Sequence, residues 1–242
     1  MATYKEIHGV KVQYRDSDAT AIEGDVWYNA STGKLKMYSA VGAWASGTAI
    51  NTGRAGGVGQ GTTTAALFEG GGPADTESWD GSSWTEVANL NTARAENSGA
   101  GTQTAALFFG GKPSPGYTEI WNGASWTEVA DLTTGRFTQA GFGITTAAMC
   151  VGGEVSDAVS AIAETFDGSS WTEGADLNTA RVGQTGFGTT AAAICASGGE
   201  PAYNANVESW DGSSWTEVGN QNTGRKDCQQ GGFGTQSGGM VY

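Results

Sequence analysis

Two identical decapeptides, SWDGSSWTEV at Ser78–Val87 and again at Ser209–Val218, place an acid, paired hydroxyls and a second acid within a few residues. IWNGASWTEV (Ile120–Val129) and TFDGSSWTEG (Thr165–Gly174) are close copies. Paired carboxylates at short range could serve glycoside hydrolysis, and a serine beside an acid could belong to a nucleophilic triad, which also needs a histidine base. His8 is the single histidine and stands outside the copies. That removes histidine triads and most zinc or copper sites. The recurrent acids Glu86, Glu128, Glu173 and Glu217 come once per copy. Catalysis needs one asymmetric pair with separated proton affinities, so these read as surface charge. No catalytic residue, cofactor site or metal site is expected, and the chain reads as non-enzymatic.

The cysteines Cys150, Cys195 and Cys228 are odd in number and widely spaced, which argues against a disulfide framework or a metal cluster. Cys150 and Cys195 each follow a repeat arginine by 14 residues, where other copies have Phe68 and Phe108. They read as small buried hydrophobes.

The elements behind the decapeptides are periodic. Arg54, Arg94, Arg136, Arg181 and Arg225 close TGR or TAR triplets, 40, 42, 45 and 44 residues apart. A tryptophan stands ten residues before each: Trp44, Trp84, Trp126, Trp171 and Trp215. An aromatic stands fifteen before four of them (Trp79, Trp121, Phe166, Trp210), with Tyr38 one residue displaced in the first unit. A period of 40–45 with Trp and glycine pairs is the mark of β-propeller blades. Each unit reads as four short strands: a glycine-rich one after the arginine, one such as AALFFGG, one such as TESW, and SWTEV. The DG or NG pairs before the last predict tight hairpins with two positive-φ residues. The 40 glycines follow no every-third rule, which excludes collagen, and they suit inner strands crowded at a propeller axis. Five arginines recurring in step read as structural, each binding carbonyls or an acid of the adjacent blade through its fork of donors; the alternative is an anion site on the axis.

The glycine pairs Gly70–Gly71, Gly110–Gly111, Gly152–Gly153 and Gly198–Gly199, each followed by an aromatic and then a Trp, resemble the kelch-type β-propeller. Phe or Cys stands where many kelch units carry Tyr. Copper oxidases of that class need histidine ligands, and the repeats here have none. SWDGSSW also differs in spacing from the sialidase Asp-box. The expected fold is an all-β, five-bladed kelch-like propeller over 24–242, preceded by an extension over 1–23. The units are 54–93, 94–135, 136–180 and 181–224, and a split fifth blade joins 225–242 to 24–53. Closure in this way removes open sheet edges. Either DVWYN or SGGMVY fills the second strand of the split blade. HGVKVQY alternates Val10, Val12 and Tyr14 with polar residues, a strand that either straps the propeller or anchors it to another chain.

The units differ most between the glycine pair and the third strand: GPADTE, KPSPGYTE, EVSDAVSAIAE and EPAYNANVE. Variable loops on a rigid frame are common binding sites. Candidate contacts are Pro73, Lys112, Pro113, Tyr117, Asp157, Pro201, Tyr203 and Asn204, the tyrosines suiting sugar faces or protein surfaces.

The net charge is −13, and residues 1–53 balance to zero, so the repeats hold the excess acid. That field repels phosphate backbones and argues against nucleic acid. No apolar run is long enough to span a bilayer, and the N-terminus lacks a signal pattern, so no membrane insertion is expected and assembly is expected inside a cell. Gly24, Asp25, Trp27, Tyr28, Asn29, Thr32, Gly33, Lys34, Leu35 and Lys36 resemble the G-D-x-W-Y-N-x-x-T-G-K-L-K segment of structural and tail-fibre-like proteins of tailed bacteriophages, particularly marine ones. That resemblance implies a virion component assembled in the host cytoplasm. Its expected partners are other tail proteins through residues 1–23 and a host-surface glycan or protein at the loop face, with a homo-oligomer as a further option. The alternatives are a cellular kelch-type interaction module and a carbohydrate-binding or carbohydrate-active propeller.

Overall fold

The computed structural model describes residues 12–15, 26–37, 47–113, 116–199, 202–228 and 232–241. Among the described residues every regular element is a strand, and no helix is long and apolar enough to cross a membrane. The chain forms two compact units, residues 1–47 and 48–242.

In the first unit, Val26–Asn29 is the centre of a three-stranded sheet. It runs parallel to Val12–Arg15 and antiparallel to Lys34–Met37. The Asn29 side-chain oxygen accepts the Thr32 N–H at 2.9 Å, and Gly33 takes φ 64°, which closes the turn. Val12 and Tyr14 therefore lie on a paired strand. Val10, Tyr38 and Trp44 lie outside the described residues.

The second unit is built of four antiparallel four-stranded sheets, each in simple up-and-down order. The first comprises Gly57–Thr62, Ala65–Gly70, Thr76–Trp79 and Trp84–Glu86. The second comprises Ser98–Thr102, Ala105–Phe109, Thr118–Trp121 and Trp126–Val129. The third comprises Ala140–Ile144, Ala147–Val151, Ala163–Phe166 and Trp171–Glu173. The fourth comprises Thr185–Thr189, Ala192–Ala196, Val207–Trp210 and Trp215–Val218. A two-stranded hairpin, Gly232–Thr235 with Gly238–Val241, follows. Gly238–Val241 of SGGMVY thus pairs with Gly232–Thr235, while Val26–Asn29 of DVWYN pairs with Lys34–Met37 and Val12–Arg15; each of the two candidate second strands has its own partner.

The sheets stack face to face in chain order, an arrangement consistent with a propeller-like fold. Val58 and Leu67 of the first meet Phe108, Trp121 and Trp126 of the second, with Leu90 of the connecting link. Leu107 and Phe109 meet Cys150, Phe166 and Trp171 of the third, with Leu132. Phe142 and Met149 meet Cys195, Trp210 and Trp215 of the fourth, with Leu177. The glycines of the inner strands answer to this stacking as well as to any axis. A Cβ on Gly141 would lie 2.5 Å from Phe109 of the preceding sheet, and one on Gly186 would lie 2.6 Å from Phe142.

The decapeptide is a hairpin, as expected, with Trp79 and Trp84 packed at 5.3 Å between ring centroids. The turn chemistry differs from the expected pair of positive-φ residues. Only Gly81 has positive φ, at 96°. Asp80 stands one place earlier, where its Oδ1 accepts the Ser82 and Ser83 N–H groups, both at 2.8 Å. The central pair is Gly81–Ser82, a loop that needs glycine at its first position alone. Asp167 and Asp211 repeat the arrangement.

Candidate functional site

The links between sheets and the loops between second and third strands form one face. Gly71, Gly111 and Gly153 donate their N–H groups to the carbonyls of Arg94, Arg136 and Arg181, respectively. Each glycine pair is thereby tied to the next link. Isolated bridges Ala95–Lys112, Phe137–Glu154 and Asn204–Arg225 sew loops to links at the same level.

Under this face lies a set of buried ion pairs. Arg94 contacts Glu119 at 2.8 Å, Arg136 contacts Glu164 at 2.6 Å, and Arg181 pairs with Glu208. Arg54 reaches Glu77 at 3.3 Å. The same guanidinium groups also donate to second- and third-strand carbonyls, as from Arg94 to Gly110 and Tyr117. Each glutamate spends its remaining oxygen capacity on the link: Glu119 accepts the N–H of Asn91 and of Thr92, and Glu208 accepts those of Asn178 and Thr179. The geometry differs from the expected pairing with the adjacent unit in one respect. The acid belongs to the sheet that the arginine leads into and not to the neighbouring one. Glu77, Glu119, Glu164 and Glu208 escaped the sequence reading, although each stands two residues before the third-strand aromatic in step with an arginine. Arg225 departs from the set and is exposed.

The recurrent fourth-strand acids Glu86, Glu128, Glu173 and Glu217 are exposed. Cys150, Cys195 and Cys228 are buried free thiols; burial raises the Cys150 and Cys195 thiols to about 12. Burial also raises the carboxyl of Glu69 well above its ordinary value, against the opposing effects of the Arg54 charge and the Gln60 amide. The exposed Asp80 is held down at about 2 by the Ser83 N–H and by the Ser82 hydroxyl and N–H. Among the described residues no three His, Cys, Asp or Glu side chains gather as a metal-holding group.

The candidate loop residues differ in availability. Lys112 is engaged, 3.2 Å from Glu96 and 3.6 Å from the centre of the Phe137 ring. Asn204 is used within its own loop, its side-chain oxygen accepting the Asn206 N–H at 2.7 Å. Pro73 is half-buried and Pro113 exposed. Asp157 is exposed at the tip of a small ribbon, Glu154–Val155 against Ala158–Val159, with φ 65°. Tyr117 and Tyr203 are 38% and 69% exposed. Pro201 and Trp44 lie outside the described residues. No protein-family model matches the chain, and no curated protein matches it.

Proposed function

We propose that the protein is a non-enzymatic structural or adhesion component of a phage particle whose propeller presents its loop face to a host surface or a partner protein. The observation that carries this reading is the contrast within that face. Its buried charges are consumed in holding links to sheets, while Tyr117 and Tyr203 stand exposed on loops that vary in length from unit to unit. Amphipathic aromatics on a rigid frame suit sugar faces and protein surfaces. The phage-like segment Gly24–Lys36 supports the particle assignment, and residues 1–23 are the attachment element.

The propeller of this proposal has five blades, the fifth joined from 225–242 and 24–53. Two observations support it. Among the described residues no aromatic pair covers the fourth sheet's second face, Phe187, Ile194, Ala196 and Val207, as one does for its counterparts. A cavity of about 380 Å³ lies there instead, lined also by Gln221 and Gln236. The link Thr48–Arg54 clasps Glu77 through Asn51 just as Asn91 clasps Glu119, the pattern expected of a link that leaves a preceding unit.

The test is deletion of residues 1–23 in the phage genome. The variant should fold when expressed alone yet be missing from purified particles. Incorporation at the wild-type level would overturn the attachment role.

A further inference from the structure

The first position of the turn between the first and second strands is Thr63, Gln103, Thr145 and Thr190 in the four sheets, and Gln236 in the terminal hairpin. Two of these are glutamines with the same duty. The Gln103 amide donates to Ser78 Oγ at 2.9 Å and to the Trp79 carbonyl at 2.6 Å. The Gln236 amide donates to Ser209 Oγ at 2.8 Å and to the Trp210 carbonyl at 2.6 Å. A primary carboxamide has two N–H bonds on one nitrogen, and both are used across the junction.

At the junction of the second and third sheets both halves are missing, since Ile120 stands in the serine position and Thr145 in the glutamine position. The junction of the third and fourth sheets keeps only the acceptors. Thr165 supplies the hydroxyl and Phe166 the carbonyl, but Thr190 is too short to span the gap. Among the described residues no side chain donates to the Phe166 carbonyl. The Thr165 hydroxyl gives its own hydrogen to the Thr172 carbonyl, at 3.4 Å, which leaves its lone pairs free to accept. A cavity of about 510 Å³ opens here, lined by Thr165, Phe166, Asp167, Thr190 and Trp210.

We infer that this cavity is a recognition site for a primary carboxamide, the side chain of Gln or Asn on a partner polypeptide, which occupies the place that Gln103 and Gln236 fill at the neighbouring junctions. The donor nitrogen meets Thr165 Oγ and the Phe166 carbonyl, and the aliphatic stem lies against Trp210. The site does not depend on the virion assignment.

The test is NMR titration of the full chain, following backbone amides, with N-acetyl-glutamine methylamide and its asparagine homologue at up to about 100 mM, where a dissociation constant as weak as ~10 mM registers. N-acetyl-methionine methylamide and N-acetylglucosamine are the controls. Saturable shifts at Thr165, Phe166 and Thr190 are expected with a carboxamide probe and not with the controls; the two carboxamide arms tell Gln from Asn. Thr190→Gln should abolish them. Gln103→Thr should add a second responsive set at Ser78 and Trp79, a gain that does not rely on the first variant folding. No response in the wild type, an equal or stronger response to either control, or a response that survives Thr190→Gln in the folded variant would overturn the proposal.

Discussion

Arg136 and Glu164 lie 2.6 Å apart with both side chains fully buried, and the same glutamate accepts the N–H groups of Thr133 and Thr134. One carboxylate thus closes a charge pair and pins the link between two sheets. Removing one partner of such a pair leaves an uncompensated buried charge, at a cost of about 3–5 kcal/mol. Glu164→Gln should therefore lower the urea midpoint severely. Arg225→Ala, at the exposed member of the series, should shift stability by no more than about 0.5 kcal/mol. Urea unfolding followed by tryptophan fluorescence checks both; equal effects would mean that the pairs do not carry the links.

Glu69 is fully buried against the Gln60 amide at 2.5 Å, and its carboxyl titrates well above its ordinary value of 4.5 because burial disfavours the charge. The folded state then holds a proton that the unfolded chain releases. Its contribution falls as pH rises from the unfolded value through the folded one. Glu69→Gln should flatten that part of the stability profile, so that wild-type stability minus variant stability falls as pH rises above about 4.5. Asp80, Asp167 and Asp211 act in the opposite sense. Held at about 2, they favour the folded state above their ordinary 3.8, and that contribution fades as pH falls toward 2.

Trp126 Nε1 donates to Thr76 Oγ at 3.1 Å, and Trp171 Nε1 donates to Thr118 Oγ at 3.0 Å. Trp215 is the next in this series, but Ala163 stands where the threonine would be, and among the described residues the buried Trp215 Nε1 has no partner. Ala163→Thr should restore the bond and stabilise the protein by about 1 kcal/mol, a rise of roughly 2–4 °C in Tm for a domain of this size. Calorimetry showing a fall of similar size would mean that the third and fourth sheets pack too closely there for a threonine.

Much of this was legible in the sequence because the units can be compared with one another. The Trp-to-Arg spacing located sixteen strands correctly in outline, and the recurrence of Glu86 and its equivalents marked them as exposed. The buried glutamates were harder to see. In TESW and VESW an acid on a short strand looks like the solvent-facing residue of an alternating pattern, and only the geometry shows Arg94 turning back to meet Glu119. The turn type was misread because DG draws attention to the aspartate as a turn residue, when its oxygen caps the two N–H groups that follow. The Thr190 cavity was invisible for another reason: it is defined by a missing side chain, and a threonine among threonines gives no signal.

Tyr117 and Tyr203 are exposed, and the Lys226 ammonium lies 5.8 Å from the centre of the Tyr203 ring. Replacing both with alanine should leave the urea midpoint within about 0.5 kcal/mol of wild type while reducing adsorption of the phage to its host. A destabilised variant would place the rings in the scaffold; a stable variant with unchanged adsorption would take the loop face out of host recognition.

The proposal that this chain is a working part of a phage particle is tested most directly by mass spectrometry of density-purified virions. Its peptides are expected there at a stoichiometry comparable with known tail components. Their absence from particles, with the protein abundant in the infected-cell lysate, would contradict it.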